Sequence, residues 1–150
     1  MIVSFSLNAP GAATAHEGGA PPVEERLSAA SSLKAAGWRV RIRIDPMIAG
    51  HSYADLAARV GRLAPERVTL GCLRADRGLL RKGNGVFAAL DPLEEPNGLA
   101  RYPFADRIRM YREAIDELPV RSPVGLCEET AEAWTAMGLD PESKACNCGT

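Results

Sequence analysis

The chain has 150 residues, 46% of them hydrophobic and 25% charged, and its 18 basic and 19 acidic side chains give a net charge of −1 at pH 7. That length suits one ordinary domain, and the balance of apolar and charged residues excludes wholesale disorder. No apolar run approaches the roughly 20 residues of a membrane-spanning helix, and the start lacks the basic leader of a signal peptide; with four unevenly spaced cysteines, we expect a cytoplasmic protein.

The first predicted unit is a strand followed by a helix. Alternating apolar and polar residues over 2–8 indicate the strand, and a Gly/Ala/Pro-rich loop leads from it to Pro22. Apolar residues at helical spacing then predict a helix over 23–36. Gly37 follows this helix at the position where a left-handed C-terminal cap is favoured.

The second unit repeats this order. A strand over 38–45 ends at Pro46, which lacks the backbone donor that a sheet needs. The next helix is predicted to begin at Ser52, because Ser52 and Asp55 have the spacing of a capping box. A third strand is predicted over 67–73.

The second half of the chain is less regular. It begins with an irregular stretch over 74–100, which is followed by a long helix near 103–118. A fourth strand over 123–127 and a short helix over 129–137 come next. Helical segments between successive strands indicate right-handed crossovers into a parallel sheet.

These elements predict an α/β fold of about four mostly parallel strands with covering helices. We expect one domain over residues 1–138 and a cysteine-containing tail over residues 139–150. In such folds ligands bind at the carboxyl ends of the strands, which here lie near Asn8, Pro46, Arg74 and Glu128.

The strands alternate between apolar and polar residues, although parallel strands are normally covered on both faces. The second strand sets Val40, Ile42 and Ile44 against Arg39, Arg41, Arg43 and Asp45. If helices cover the apolar face, the other face must be wet, paired with acids or filled by a polar ligand, since burying unpaired arginines is costly. An antiparallel or edge sheet with one solvated face is the alternative.

Seven short motifs occur in an order that resembles a known family. They are SFSLN at 4–8, RIRIDP at 41–46, TLGCLR at 69–74, RY at 101–102, MYREAIDEL at 110–118, LCEET at 126–130 and CNC at 146–148. Together they resemble the C-terminal half of the spore photoproduct lyase family, radical S-adenosylmethionine enzymes also called DNA repair photolyases. The resemblance implies the C-terminal half of a partial (β/α)6 TIM-like barrel.

The resemblance also implies cofactors. Family members hold a four-iron, four-sulfur cluster on a Cys-x3-Cys-x2-Cys loop, and the cluster cleaves S-adenosylmethionine to a radical that reverts a thymine dimer. That motif is absent here, because Cys72 and Cys127 are isolated and Cys146 and Cys148 form a Cys-x-Cys pair. We therefore expect a missing N-terminal half as partner and an inactive chain without it. A non-catalytic half-barrel that binds nucleotide or nucleic acid, or that forms a homodimer, is the alternative.

Three residues at strand ends match positions that contact the cofactor in the family. The resemblance implies that Ser6, Asn8 and Asp45 bind S-adenosylmethionine. Ser6 and Asn8 could instead bond to backbone, and Asp45 could instead form a salt bridge with Arg43 or Arg41.

Candidate contacts to DNA come from the second half of the motif set. Arg101 and Tyr102 match an Arg-Tyr pair that contacts the lesion in relatives, although Tyr102 could pack on the core instead. Arg74 opens a basic loop with Arg77, Arg81 and Lys82 that could contact phosphate or remain solvated. Residues 1–82 carry 12 basic and 7 acidic side chains and residues 83–150 carry 6 and 12, so a polyanion could bind the first part.

Neither the cysteines nor the histidines give a metal site by themselves. Cys146 and Cys148 could supply two thiolates, but a structural site needs three or four ligands, so Cys127 or a partner would have to contribute. Reduced cysteines on a tail are the favoured interpretation. His16 and His51 lie in predicted loops without ligand spacing, so we assign no metal ligands.

Overall fold

The computed structural model describes residues 1–82, 85–93, 98–143 and 145. Its strands are β1 Ile2–Leu7, β2 Arg39–Met47, β3 Arg67–Cys72, β4 Arg74–Ala75, β5 Ala100–Arg101 and β6 Val124–Leu126. Its α-helices are α1 Pro10–His16, α2 Val23–Ala35, α3 Ala54–Leu63, α4 Arg77–Arg81, α5 Phe104–Asp116 and α6 Ala131–Ala136, with 3-10 turns at Gly85–Phe87 and Pro141–Ser143. Within these residues, no helix is long and apolar enough to span a membrane.

The main sheet is parallel, as the crossover lengths predicted. Its four strands lie in the order β1-β2-β3-β6, and each neighbouring pair is parallel. The short β4 and β5 form a separate antiparallel ribbon beyond the end of β3. The α/β prediction is confirmed, and the sheet is consistent with half of a TIM-like barrel.

One face of the sheet carries the core, and the strand alternation decides which face it is. Helices α2 and α5 pack against the strands and α3 packs on α5, and the buried side chains of β2 and β3 include Val40, Ile42, Ile44, Val68 and Leu70. The register places Ser6, Arg43, Thr69 and Gly125 in one row across the sheet. We call the face that carries this row the open face.

The end of α2 confirms the predicted glycine cap. Gly37 has φ +86°, the left-handed region that favours glycine. The Gly37 amide donates to the Lys34 carbonyl at 3.0 Å, and the Trp38 amide donates to the Leu33 carbonyl at 3.1 Å. This pair of hydrogen bonds is a Schellman motif, which satisfies two carbonyls at the end of the helix.

The predicted start of α3 is wrong. The helix begins at Ala54, and its N-cap residue Tyr53 makes no side-chain capping hydrogen bond. The Ser52 hydroxyl donates to Glu113 of α5 and accepts a long hydrogen bond of 3.4 Å from the Ala54 amide. Tyr53 is fully buried, and its hydroxyl donates to Asn8 at 2.7 Å. The helix therefore starts next to a tyrosine anchored in the core, and not at the predicted capping box.

Two segments predicted as irregular contain regular structure. The loop expected before Pro22 includes α1, which begins with Pro10 in its first turn, a position where proline is tolerated. The stretch over 74–100 includes α4, whose N-terminus is capped by Asp76 accepting from the Leu79 amide at 2.8 Å. Of the predicted tail, Leu139 and Ala145 pack against the core, while Cys146 and Cys148 lie outside the described residues.

Candidate functional site

Charged side chains meet on the open face where β2, β3 and β6 end. The Asp45 carboxylate accepts hydrogen bonds from Arg43 Nη2 at 2.7 Å and from Arg74 Nη1 at 2.8 Å. Arg74 also donates through Nε to Glu128, and the Cys127 sulfur lies 3.7 Å from Arg43 Nη2 and 3.6 Å from Arg74 Nη2. We call Arg43, Asp45, Arg74, Cys127 and Glu128 the strand-end cluster.

A glycine on β3 makes room for the carboxylate of Asp45. A Cβ atom at Gly71 would lie 2.6 Å from Asp45 Oδ1 and 3.2 Å from Arg74 Nη1. The first separation is shorter than any normal contact, so a side chain at this position would displace the carboxylate. Gly71 therefore belongs to the site although it has no functional group.

Asp45 and Arg74 keep their charges at neutral pH. Burial raises the pKa of Asp45, but the hydrogen bonds from Arg74 and Arg43 outweigh burial and hold this pKa below its ordinary value. Burial lowers the pKa of Arg74, and hydrogen bonds to Asp45 and Glu128 more than reverse that effect. Two guanidinium groups thus face two carboxylates, and the cluster is close to neutral.

Glu128 is held at the rim of the site in an unusual backbone conformation. Its φ is +49°, in the left-handed region that few residues other than glycine adopt. Its side chain pairs with Arg74, and its carbonyl accepts a hydrogen bond from Arg101 Nη2 at 2.6 Å. Such conformations persist where neighbouring contacts impose them, and they are frequent at binding sites.

A cavity of about 370 Å³ opens beside the cluster. Its walls are Asp45, Pro46, Leu73, Arg74, Asp76, Leu79, Leu99 and Glu128. The lining combines three carboxylates and one guanidinium group with three leucine side chains. This volume and this mixture of surfaces are typical of sites for small polar ligands with an apolar part.

Ser6 and Asn8, both predicted to contact the cofactor, occupy different environments. Ser6 is exposed on the open face, and its hydroxyl donates to the Asp45 carbonyl at 3.4 Å. Asn8 is buried, donating to the Pro46 carbonyl at 3.1 Å and accepting from the Tyr53 hydroxyl at 2.7 Å. These contacts make Asn8 a brace between the ends of β1 and β2, whereas Asp45 and Ser6 face the open side.

Of the predicted DNA-contact residues, Arg74 and Arg101 lie together as cross-strand partners of β4 and β5 and both contact Glu128, whereas Tyr102 lies in the core. Tyr102 is buried, and its hydroxyl accepts from the Ala49 amide at 3.1 Å, so the structure favours the core role and its ring face is not available for stacking on a base. Arg101 donates to the Glu128 carbonyl. Arg74 belongs to the strand-end cluster instead of a solvated loop. Arg77, Arg81 and Lys82 are the exposed cations nearby in the chain, in or beside α4.

A buried ion pair supports the site from the helix side. Arg107 of α5 pairs with Glu129 at 2.9 Å, and both side chains are nearly inaccessible. The Tyr111 hydroxyl donates to Glu129 at 2.8 Å and accepts from the Cys72 amide at 3.0 Å. This chain of contacts fixes the segment after β6 relative to the end of β3, and with it the position of Glu128.

Sequence reasoning missed several members of the site. Glu128 was expected only as the end of a strand and Glu129 was not singled out, whereas the structure pairs them with Arg74 and Arg107. The alternation of arginines along β2 could have indicated that Arg43 belongs to the site. The sequence around Gly71 does not distinguish it from any other glycine.

The described residues contain no group of three or more His, Cys, Asp and Glu that could hold a metal ion. Cys72 and Cys127 are both buried. Burial raises the pKa of the Cys72 thiol to about 12, which keeps it protonated. Cys72 and Cys127 therefore do not form a set of ligands for an iron–sulfur cluster.

Comparison with known proteins yields a likeness of fold. A solved structure of spore photoproduct lyase complexed with dinucleoside spore photoproduct superposes with a TM-score of 0.63 over 84% of this chain, at 16% sequence identity. The matched part is 44% of the lyase chain, so this chain spans less than half of that protein's length. No protein-family model matches, and no curated protein matches. At this identity the comparison supports a shared fold and not membership of a family.

Proposed function

We propose that this chain supplies one wall of an S-adenosylmethionine site in a radical S-adenosylmethionine lyase similar to spore photoproduct lyase, and that an N-terminal half completes it. The observation that carries the proposal is the charged cavity at the carboxyl ends of parallel strands, within a fold that resembles the lyase. Strand ends of this kind are where parallel α/β sheets bind ligands.

The donor set of the cavity suits the chemistry of S-adenosylmethionine. The ligand carries a carboxylate, an ammonium group, a sulfonium cation, ribose hydroxyls and a flat base. Arg74 is held between Asp45 and Glu128, so the accessible charged group of the cluster is the Glu128 carboxylate, whose side chain is 54% exposed and can accept from hydroxyls or attract the cationic groups. The three leucine side chains of the lining suit the base. When bound, S-adenosylmethionine supplies the reactive adenosyl group, and the residues of this chain bind and orient it.

The described residues do not fit a four-iron, four-sulfur cluster. Cys72 lies on the buried face of β3 and contacts Tyr111 of α5. Cys127 lies beside Arg43 and Arg74 on the open face. Two thiols on opposite faces cannot share one cluster. We therefore assign the iron–sulfur ligands to the complementary half.

DNA contact is part of the proposal only through exposed cations. Arg77, Arg81 and Lys82 lie next to the cavity wall formed by Asp76 and Leu79. Cations in such a position can bind phosphates that flank a substrate held at the strand ends.

The proposal is tested by titrating the isotopically labelled chain with S-adenosylmethionine and following amide chemical shifts. We expect millimolar-range binding, since only one wall is present, with shifts confined to the backbone near Asp45, Arg74 and Glu128. Arg74→Gln should remove the shifts, and Arg77→Gln on the exposed face of α4 should preserve them. An absence of shifts at about 5 mM ligand, or shifts that persist in folded Arg74→Gln, would refute the proposal.

A further inference from the structure

A second cavity lies next to the one beside the strand-end cluster. It has a volume of about 360 Å³, and Leu99 lines both cavities. The cross-strand partners Arg74 and Arg101 belong to different cavities, Arg74 to the first and Arg101 to the second. We call the second one the ribbon cavity, and its lining includes Asp91, Pro92, Leu99, Arg101, Arg107 and Thr130.

The ribbon cavity carries the opposite charge to its neighbour. Its lining holds two guanidinium groups and one carboxylate, whereas the first cavity holds one guanidinium group and three carboxylates. A lining with an excess of positive charge attracts anions, and one with an excess of negative charge attracts cations. The two cavities are therefore suited to different chemical groups.

Arg107 gives the ribbon cavity a charge in a fixed orientation. Its side chain is 9% exposed, its Nε pairs with Glu129 at 2.9 Å, and its Nη1 donates to the Tyr102 carbonyl. Its guanidinium carbon also lies 5.5 Å from the centroid of the Phe104 ring. Nη2 is left without a partner among the described residues. Because the other contacts hold the group in place, little side-chain entropy is lost when Nη2 binds a ligand.

Arg101 and Thr130 add donors that the fold leaves unused. Arg101 donates through Nη2 to the Glu128 carbonyl at 2.6 Å, and its Nε and Nη1 have no partner in the part of the chain that the structure describes. Thr130 Oγ1 accepts from the Ala133 amide at 3.2 Å, so its hydroxyl hydrogen remains available to donate. Guanidinium groups together with a hydroxyl are donors with which proteins bind phosphate oxygens.

We propose that the ribbon cavity binds a phosphate group through Arg101, Arg107 and Thr130. The phosphate is either free or the ester of a nucleotide, and the ester suits the cavity better. Phosphate alone would leave most of about 360 Å³ unfilled. The sugar and base of a nucleotide can contact Leu99, and the exposed Asp91 carboxylate can accept from a sugar hydroxyl. The inference does not rest on the proposed cofactor site, because that site uses the other cavity.

The test is an amide chemical-shift titration of the labelled chain at low ionic strength. Its ligands are adenosine 5′-monophosphate, inorganic phosphate and adenosine, each from about 0.1 to about 20 mM. We expect the monophosphate to shift the amides of Ala100, Arg101 and Thr130, inorganic phosphate to shift the same amides with lower affinity, and adenosine to shift none of them. Equal affinities for the two phosphates would support the site and assign it to free phosphate. Adenosine that binds as tightly as its monophosphate, or shifts only at Asp45, Arg74 and Glu128, would overturn the proposal.

Substitutions of the donors test their roles. Arg101→Gln should weaken binding of the monophosphate about tenfold, and Thr130→Val about fivefold. Thr130→Ser keeps both the hydroxyl and the helix cap, so it should bind like the wild type. Arg109→Gln is the matched control, because the Arg109 side chain is 72% exposed on α5 and lies outside the lining. Folded Arg101→Gln that binds as tightly as this control would contradict the proposal.

Asp91→Asn should act in the opposite direction, so its effect cannot come from a folding defect. It removes the one carboxylate of the lining, and inorganic phosphate should therefore bind about threefold more tightly. A variant that merely lost structure would not gain affinity. Unchanged or weaker phosphate binding by folded Asp91→Asn would show that the anion does not occupy the ribbon cavity, and the proposal would be wrong.

Discussion

Replacing Asp45 by Asn tests whether the strand-end cluster stabilises the fold through charge. The side chain of Asp45 is 5% exposed, and its oxygens accept from Arg43 and Arg74. The amide keeps the shape but leaves two guanidinium groups without this anion. Breaking a buried pair costs about 3–5 kcal/mol. The side chains of Arg43 and Arg74 are 35% and 18% exposed, and Arg74 keeps Glu128 as a partner. We therefore expect Asp45→Asn to lower the free energy of unfolding by about 2–3 kcal/mol.

The loss should depend on pH in a definite direction. The folded pKa of Asp45 lies below its ordinary value, so the carboxylate contributes stability above the unfolded pKa of about 3.9 and loses it as pH falls through the folded pKa. The difference between wild type and Asp45→Asn should therefore be full at neutral pH and shrink in acid. In a domain of this size, the change at neutral pH corresponds to a fall in Tm of about 4–12 °C.

Urea unfolding followed by circular dichroism, repeated from neutral to acidic pH, measures both quantities. Asp55→Asn is the matched control, because the Asp55 side chain is 83% exposed. This substitution should change the free energy of unfolding by less than about 0.5 kcal/mol. If Asp45→Asn is as stable as the control at neutral pH, or if its deficit is the same at every pH, the electrostatic account of the cluster is wrong.

Three further substitutions test individual contacts by the same unfolding measurement. Gly71→Ala should lower the free energy of unfolding by about 1–3 kcal/mol, because its Cβ would lie 2.6 Å from the Asp45 carboxylate. This loss should be smaller in an Asp45→Ala background, and an equal loss there would contradict the steric explanation. Glu129→Gln should lower the free energy of unfolding by about 3–5 kcal/mol, because it removes the anion paired with buried Arg107 and leaves that guanidinium only the Tyr102 carbonyl. The exposed Glu132→Gln should be neutral. Gly37→Ala should cost about 1 kcal/mol at φ +86°, and an unchanged stability would show that the cap does not constrain α2.

Local patterns in the sequence determined the architecture. The alternation of β2, with Val40, Ile42 and Ile44 on one side, gave the buried face, and the helical segments between strands gave the parallel order. Gly37 marked the end of α2. Each of these signals depends on a residue and its near neighbours, because hydrophobic periodicity and backbone preference act over a few residues.

The tertiary structure alone decided which charges form a site. Asp45 and Arg74 are 29 positions apart, and Arg43 and Cys127 are 84 apart; no short-range pattern links them. One alternative left open for Asp45 was a salt bridge to Arg43, and the structure contains it. No motif predicted that Arg74 is the second partner of Asp45, or that Gly71 leaves room for its carboxylate. Tyr53, not Ser52, marks the start of α3, because burial in the core outweighed the capping signal. Strand register and packing fix such long-range contacts, and both are properties of the folded chain as a whole.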